Sequence, residues 1–187
     1  MELNNKTVLF LGSSVTFGSA SGGVSFADMM EEQCGLKMVK EALSGTTLAD
    51  IDDGSYVARL KKVNPKIKMD LVIVQLSTND AGRGIPLPET EAAIRFIADY
   101  VGNIWGCPLA FYTGTYYENQ HYAKMVTLLR ALSKEYGFAI IDLWDDPAMR
   151  GVSEADYKRY MSDPVHPNIV GYREWWTPKF IEFCQAL

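Results

Sequence analysis

The sequence predicts an α/β sandwich built on a parallel sheet, and three observations carry that prediction. Four short apolar runs do not alternate polar with apolar residues, so each is expected to be covered on both faces. Amphipathic helical patterns lie between the runs. The intervals are also long enough for the crossovers that parallel strands require.

Taken in order, the first run is "TVLFLG" (7–12), followed at once by the small-residue stretch "SSVTFGSASGG". "KMVKEAL" (37–43) is more mixed and suits an edge position. The basic cluster "RLKKVNPKIK" (59–68) reads as the solvated end of a helix and its loop. "DLVIVQLS" (70–77) is the next apolar run and leads into "STND". "PETEAAIRFIADYVGNIWG" opens with Pro88 at a favoured first-turn position and lines up Ala93, Ile94, Ile97, Tyr100, Val101 and Ile104 on one stripe. "PLAFYTG" (108–114) gives another strand, and the helix within "ENQHYAKMVTLLRALSKEYG" presents Tyr122, Met125, Val126, Leu129, Leu132 and Tyr136 before stopping at Gly137. "FAIIDLW" (138–144) closes the set. A last helix from about Asn168 is expected to bend near Pro178, which cannot donate a helix bond. No linker, repeat or low-complexity tract divides the chain, so residues 1–187 read as one domain.

Charge and composition exclude several functions. The net charge of −5 argues against a nucleic-acid partner, which would need clustered Lys and Arg. No apolar run reaches the roughly 18 residues of a membrane helix, and the start "MELNNKTVLFLG" has neither a basic leader nor a long apolar core. Cys34, Cys107 and Cys184 are far apart and lack metal-type spacing, as expected of reduced cysteines in a cytoplasmic protein. A leader removed upstream of Met1 is the alternative.

In open α/β sheets, ligands bind at the carboxyl ends of the strands. Those ends hold Ser13 and Ser14 after the first run, Ser44 and Gly45 after the second, and "STND" (Ser77–Asp80) after the third. Farther on, "SDPVHPN" sets Asp163 three residues before His166. A nucleophilic serine needs an imidazole to take its proton, and the imidazole needs a carboxylate to fix its tautomer. Only two histidines exist, and His121 lacks such an acidic partner. The N–H groups of Ser14 and Gly45 and the amide of Asn79 would be donors for an oxyanion.

The ordered set "GSSVTFG", Gly45, "STND" and "DPVHP" resembles the four sequence blocks of the SGNH/GDSL hydrolase family, the GDSL-like lipases and acylhydrolases. The resemblance implies a flavodoxin-like three-layer α/β/α sandwich with a five-stranded parallel sheet. It implies Ser14 as nucleophile, Asp163 and His166 as its partners, and Ser14, Gly45 and Asn79 as oxyanion donors. It also implies ester hydrolysis without metal or organic cofactor. A chain of 187 residues leaves no space for a large lid domain, which favours a small-molecule substrate with a small acyl group such as acetyl, an acetylated sugar or another soluble ester. Three positions depart from the family pattern: Ser13 replaces Asp, Ser77 replaces Gly, and Leu43-Ser44 stand before Gly45 where Asn is usual.

Blander readings stand beside these. Ser14 would otherwise be a helix-capping turn hydroxyl, and Ser13 is a second, lesser candidate for the nucleophile. Asn79 and Asp80 would form an Asx-turn, with Asp80 tying down its loop. Tyr116, Tyr117 and Arg83 are candidates for the substrate rim. Two other functions fit the same stretches: a phosphate- or flavin-binding flavodoxin-like protein using the Gly/Ser loop, and an inactive carbohydrate-binding protein on the hydrolase fold.

Overall fold

The computed structural model describes Met1–Leu187. β1 (Thr7–Gly12) runs into the short α1 (Ser14–Phe17); α2 (Phe26–Cys34) then leads to β2 (Lys37–Ala42) and α3 (Tyr56–Leu60). β3 (Leu71–Gln75) is followed by α4 (Thr78–Arg83) and the long α5 (Leu87–Ile104). β4 (Leu109–Tyr112), α6 (Gln120–Tyr136) and β5 (Ala139–Ile141) complete the sheet. Beyond it lie α7 (Pro147–Arg150), α8 (Glu154–Tyr160), α9 (Ile169–Gly171) and α10 (Thr177–Ala186).

All five strands are parallel, in the order β2-β1-β3-β4-β5. This is the flavodoxin-like order, whose topological switch point lies between β1 and β3. The apolar runs fail to alternate because both faces are covered. Leu9, Leu11, Val72, Val74 and Phe111 face α3, α5 and α6, while Val8, Phe10, Ile73, Ala110 and Tyr112 face α2 and α10. Phe26 is the hub of that second layer, stacked on Phe180 at 3.9 Å and edge-on to Tyr112 at 5.2 Å. β2, at the edge, is only partly buried, in keeping with its mixed sequence.

The bend expected near Pro178 takes a specific form. Residues Tyr172–Trp176 make a π-helical turn, and the N–H of Thr177 reaches back five residues to the Tyr172 carbonyl. Pro178 then occupies the first turn of α10, where its missing N–H removes no helix bond. No helix is long and apolar enough to cross a membrane, and the three cysteines are free, Cys184 buried.

In the basic cluster Lys61, Lys62, Lys66 and Lys68 are exposed as expected of a solvated run, and Arg59 is the exception. Arg59 is 8% exposed. It shares the apolar stripe of α3 with Tyr56 and sends its guanidinium to strand-end carbonyls, Gly12 at 2.7 Å and Glu41. The Tyr56 spacing, i to i+3, was the available signal.

Candidate active site

The switch point places Ser14 at the start of α1, directly after β1. The turn is set from beneath by Gln75, the last residue of β3, which is buried. Its amide oxygen accepts the Ser13 N–H at 2.9 Å, the Ser13 hydroxyl at 3.3 Å and the Thr16 hydroxyl at 3.0 Å. Thr16 in turn bonds the Tyr112 hydroxyl at 2.7 Å. Ser13 is thereby committed to the interior at 0% exposure, and Ser14 faces outward at 8%. The turn also demands Gly12, where a Cβ would lie 1.8 Å from the Thr16 hydroxyl oxygen.

The Ser14 Oγ lies 2.7 Å from Nε2 of His166, across 152 residues of sequence. Nδ1 of the same ring is 2.8 Å and 3.0 Å from the two carboxylate oxygens of Asp163. The Asp163–His166 segment is a tight turn, closed by the Met161–Pro167 bridge and by Ser162 N–H donating to the His166 carbonyl. Asp163 also accepts the backbone N–H groups of Val165 and His166, each at 2.8 Å. Partial burial alone would raise the Asp163 carboxyl; those backbone bonds and the His166 ring outweigh it, and the net shift is downward. An ionised carboxylate can only accept, so Nδ1 carries the ring proton and Nε2 is left to accept from the Ser14 hydroxyl. The segment is tied to the nucleophile by the Tyr172 hydroxyl, which donates to the Val15 carbonyl at 2.7 Å.

Gly45 has φ +79° and open space where a Cβ would be. Neither its N–H nor that of Ser14 has an acceptor within the protein. Ser44 is joined to the segment after α1 by a 2.6 Å hydroxyl bond to Ser19, which brings the Gly45 loop beside the nucleophile turn. Asn79 donates one N–H of its amide to the Thr46 carbonyl at 2.8 Å, leaving the second. The tie-down expected of Asp80 is present, but to a different loop: its buried carboxylate accepts Leu48 N–H at 2.8 Å and Ala49 N–H at 3.0 Å, with Thr90 at 3.3 Å.

The candidate rim residues are placed less uniformly. Arg83 donates to the Gly45 carbonyl at 2.6 Å, so it holds the glycine loop. Tyr117 is half-buried against Tyr122 and Trp144. Tyr116 is 45% exposed and carries Arg150 over its ring. His121, set aside from the sequence, bonds the Ile85 carbonyl at 2.8 Å. Sequence reasoning missed Gln75 and Arg59 because each acts on residues dozens of positions away. A glutamine ending an apolar strand was the one hint. No group of three His, Cys, Asp or Glu side chains is arranged to hold a metal ion.

The sequence matches the model of the GDSL-like lipase/acylhydrolase family over residues 10–174. The chain belongs to that family. Solved structures agree on the fold. A protein from Lactobacillus plantarum superposes with a TM-score of 0.82 at 19% identity, covering 98% of both chains. A G-D-S-L family lipolytic protein from Desulfitobacterium hafniense gives 0.75 at 19% identity, covering 98% of this chain and all of that one. An acetylxylan esterase from Geobacillus stearothermophilus gives 0.74 at 18% identity, covering 97% of this chain and 95% of that one. No curated protein sequence matches the chain. Within this family of ester hydrolases, the finer chemistry rests on the side chains described above.

Proposed function

We propose that the chain is a serine esterase that removes small acyl groups, acetyl foremost, from soluble esters including acetylated carbohydrates. The observation that carries the reading is the unbroken relay from Ser14 through His166 to Asp163 at 2.7 and 2.8 Å. His166 takes the Ser14 proton as Oγ attacks the ester carbonyl, and Asp163 stabilises the imidazolium. The N–H groups of Ser14 and Gly45 and the second N–H of Asn79 hold the oxyanion. Protonated His166 gives its proton to the departing alcohol, leaving an acyl-Ser14. Water, deprotonated by the same imidazole, then releases the acid and restores the serine.

Two features favour a small acyl group. Five cavities of about 310 to 590 Å³ do not include Ser14 in their linings, so none of them serves as a tunnel carrying a long acyl chain to the nucleophile. The likeness to an acetylxylan esterase points the same way, and adds a carbohydrate as the alcohol. The flavodoxin-type reading would leave Asn79, Asp163 and His166 without a task.

The test is a serine-reactive fluorophosphonate followed by a nitrophenyl ester series. The parent protein should be labelled, Ser14→Ala should not, and turnover should fall steadily from acetyl to octanoyl. Absence of labelling in the folded parent would leave a binding protein on the hydrolase fold as the better reading.

A further inference from the structure

A cavity of about 470 Å³ is lined by Thr115, Tyr116, Arg150, Glu154, Tyr157 and Trp175 among others. Its link to the proposed reaction runs through Tyr157. The Tyr157 hydroxyl donates to the Pro164 carbonyl at 3.5 Å, inside the Asp163–His166 turn. Thr115 follows β4, the neighbour of the strand whose end supplies Asn79. The group that protonates a leaving alkoxide must stand next to it, so a cavity joined through Tyr157 to the turn that carries His166 is the candidate for the alcohol side of the ester.

Arg150 is the distinctive group in that wall. Arg59, Arg83, Arg95, Arg130 and Arg159 each donate to a protein oxygen; Arg150 and Arg173 do not, and of these two only Arg150 lines the cavity. Arg150 pairs with no carboxylate, and none of its side-chain donors has a protein acceptor. The residue is exposed, and its side chain packs on an aromatic ring. Its guanidinium carbon sits 3.8 Å from the centroid of the Tyr116 ring, which packs on the buried Trp144 at 4.9 Å. Stacking of this kind leaves the in-plane N–H fork free for a planar anion. The second observation is Thr115, 3% exposed, whose hydroxyl has no hydrogen-bond partner although the residue lines the cavity. Buried hydroxyls are normally satisfied. Glu154, the one acid in the lining, is neutralised by Lys158 at 2.6 Å. One free guanidinium suits a single negative charge better than a doubly charged phosphate.

We infer that this cavity is the subsite for the alcohol half of the substrate and that it selects alcohols carrying a carboxylate, bound by Arg150 with the Thr115 hydroxyl. The inference rests on the esterase reading for its place in the reaction, but the binding it requires does not depend on turnover.

Two measurements test it. The first compares hydrolysis of 4-acetoxybenzoate with that of the neutral 4-acetoxybenzamide by the parent and by Arg150→Gln. Comparing the parent-to-variant ratios of kcat/KM cancels the intrinsic reactivity of the two leaving groups. Losing a hydrogen bond to a charged group should cost about 10- to 100-fold on the carboxylate ester, with the amide ester changed less than about twofold. The second measures 4-hydroxybenzoate binding to Ser14→Ala by calorimetry, with and without Arg150→Gln. Binding abolished by the second substitution supports the subsite even if neither ester is turned over, and in that case only the esterase reading fails. Loss of both esters in parallel, or no loss on either, together with binding absent or indifferent to Arg150, overturns the subsite.

Discussion

Ser14 and His166 meet at 2.7 Å, yet what holds each in place differs in range and in exposure. On the nucleophile side the supports are buried and long-range. Gln75 reaches Ser13 across 62 residues, Arg59 reaches Gly12 across 47, and Asp80 reaches Leu48 across 32. On the imidazole side the supports are local. Asp163 holds residues only two and three positions ahead, and its side chain is 48% exposed. A turn of that kind can be kept by a handful of residues, whereas the nucleophile turn exists only once β1, β3 and α3 are assembled. Substitutions on the two sides should therefore fail differently, by rate alone on the imidazole side and by rate and stability together on the other.

The largest effect tests the local side. Asp163→Asn should lower kcat by about 10⁴-fold, because the amide favours the wrong imidazole tautomer. The melting temperature should move by no more than about 2 °C, since an exposed polar position carries little stability. A variant that melts far earlier would show the turn to be a structural keystone and would break the contrast.

Asn79→Ala comes next and straddles the two sides. Removing one oxyanion donor costs about 10² to 10³ in kcat. Losing the bond to the Thr46 carbonyl should cost about 1 kcal/mol in chemical unfolding. Full activity with the same stability loss would reduce Asn79 to a loop tether.

Gln75→Leu sharpens the comparison from the buried side. It removes the acceptor for the Ser13 N–H and two hydroxyls, and a buried donor left unpaired costs about 1–3 kcal/mol. A fall of that size in unfolding free energy should accompany a drop in kcat on the order of 10²-fold, as expected when a reacting group is slightly misplaced. KM should hold. Unchanged kcat in a destabilised protein would mean that Ser14 keeps its place without the amide.

The same contrast explains what could be read from the sequence. "SDPVHPN" announces its turn because the Asp163 bonds that shape it lie within the segment, and the strand runs announce their burial through composition. Ser14 was legible as a strand-end hydroxyl. Its choice over Ser13 is enforced by Gln75, and no local pattern links position 13 to position 75. Arg59 was misleading for the same reason: its neighbours Lys61 and Lys62 are exposed, and only the assembled sheet edge supplies the carbonyls that draw it inward. The cavity at Arg150 is assembled from four separate segments, of which the sequence pointed only to Tyr116.

The smallest effect concerns acid stability and returns to Asp163. Its carboxyl is held below the ordinary range in the folded protein, burial opposing and the Val165, His166 N–H and ring bonds prevailing. A depressed folded pKa means that the unfolded chain binds the proton more readily. The carboxylate therefore adds stability above the unfolded value, and that stability is lost as pH falls through the folded one. Because the group is about half exposed, solvent screening limits the contribution to about 1 kcal/mol or less. Chemical unfolding of the parent and of Asp163→Asn should differ by that small amount at pH 7 and converge toward pH 3. A gap that widens on acidification would reverse the sign, and would mean that Asp163 is strained in its charged form and that the turn is held by something other than its carboxylate.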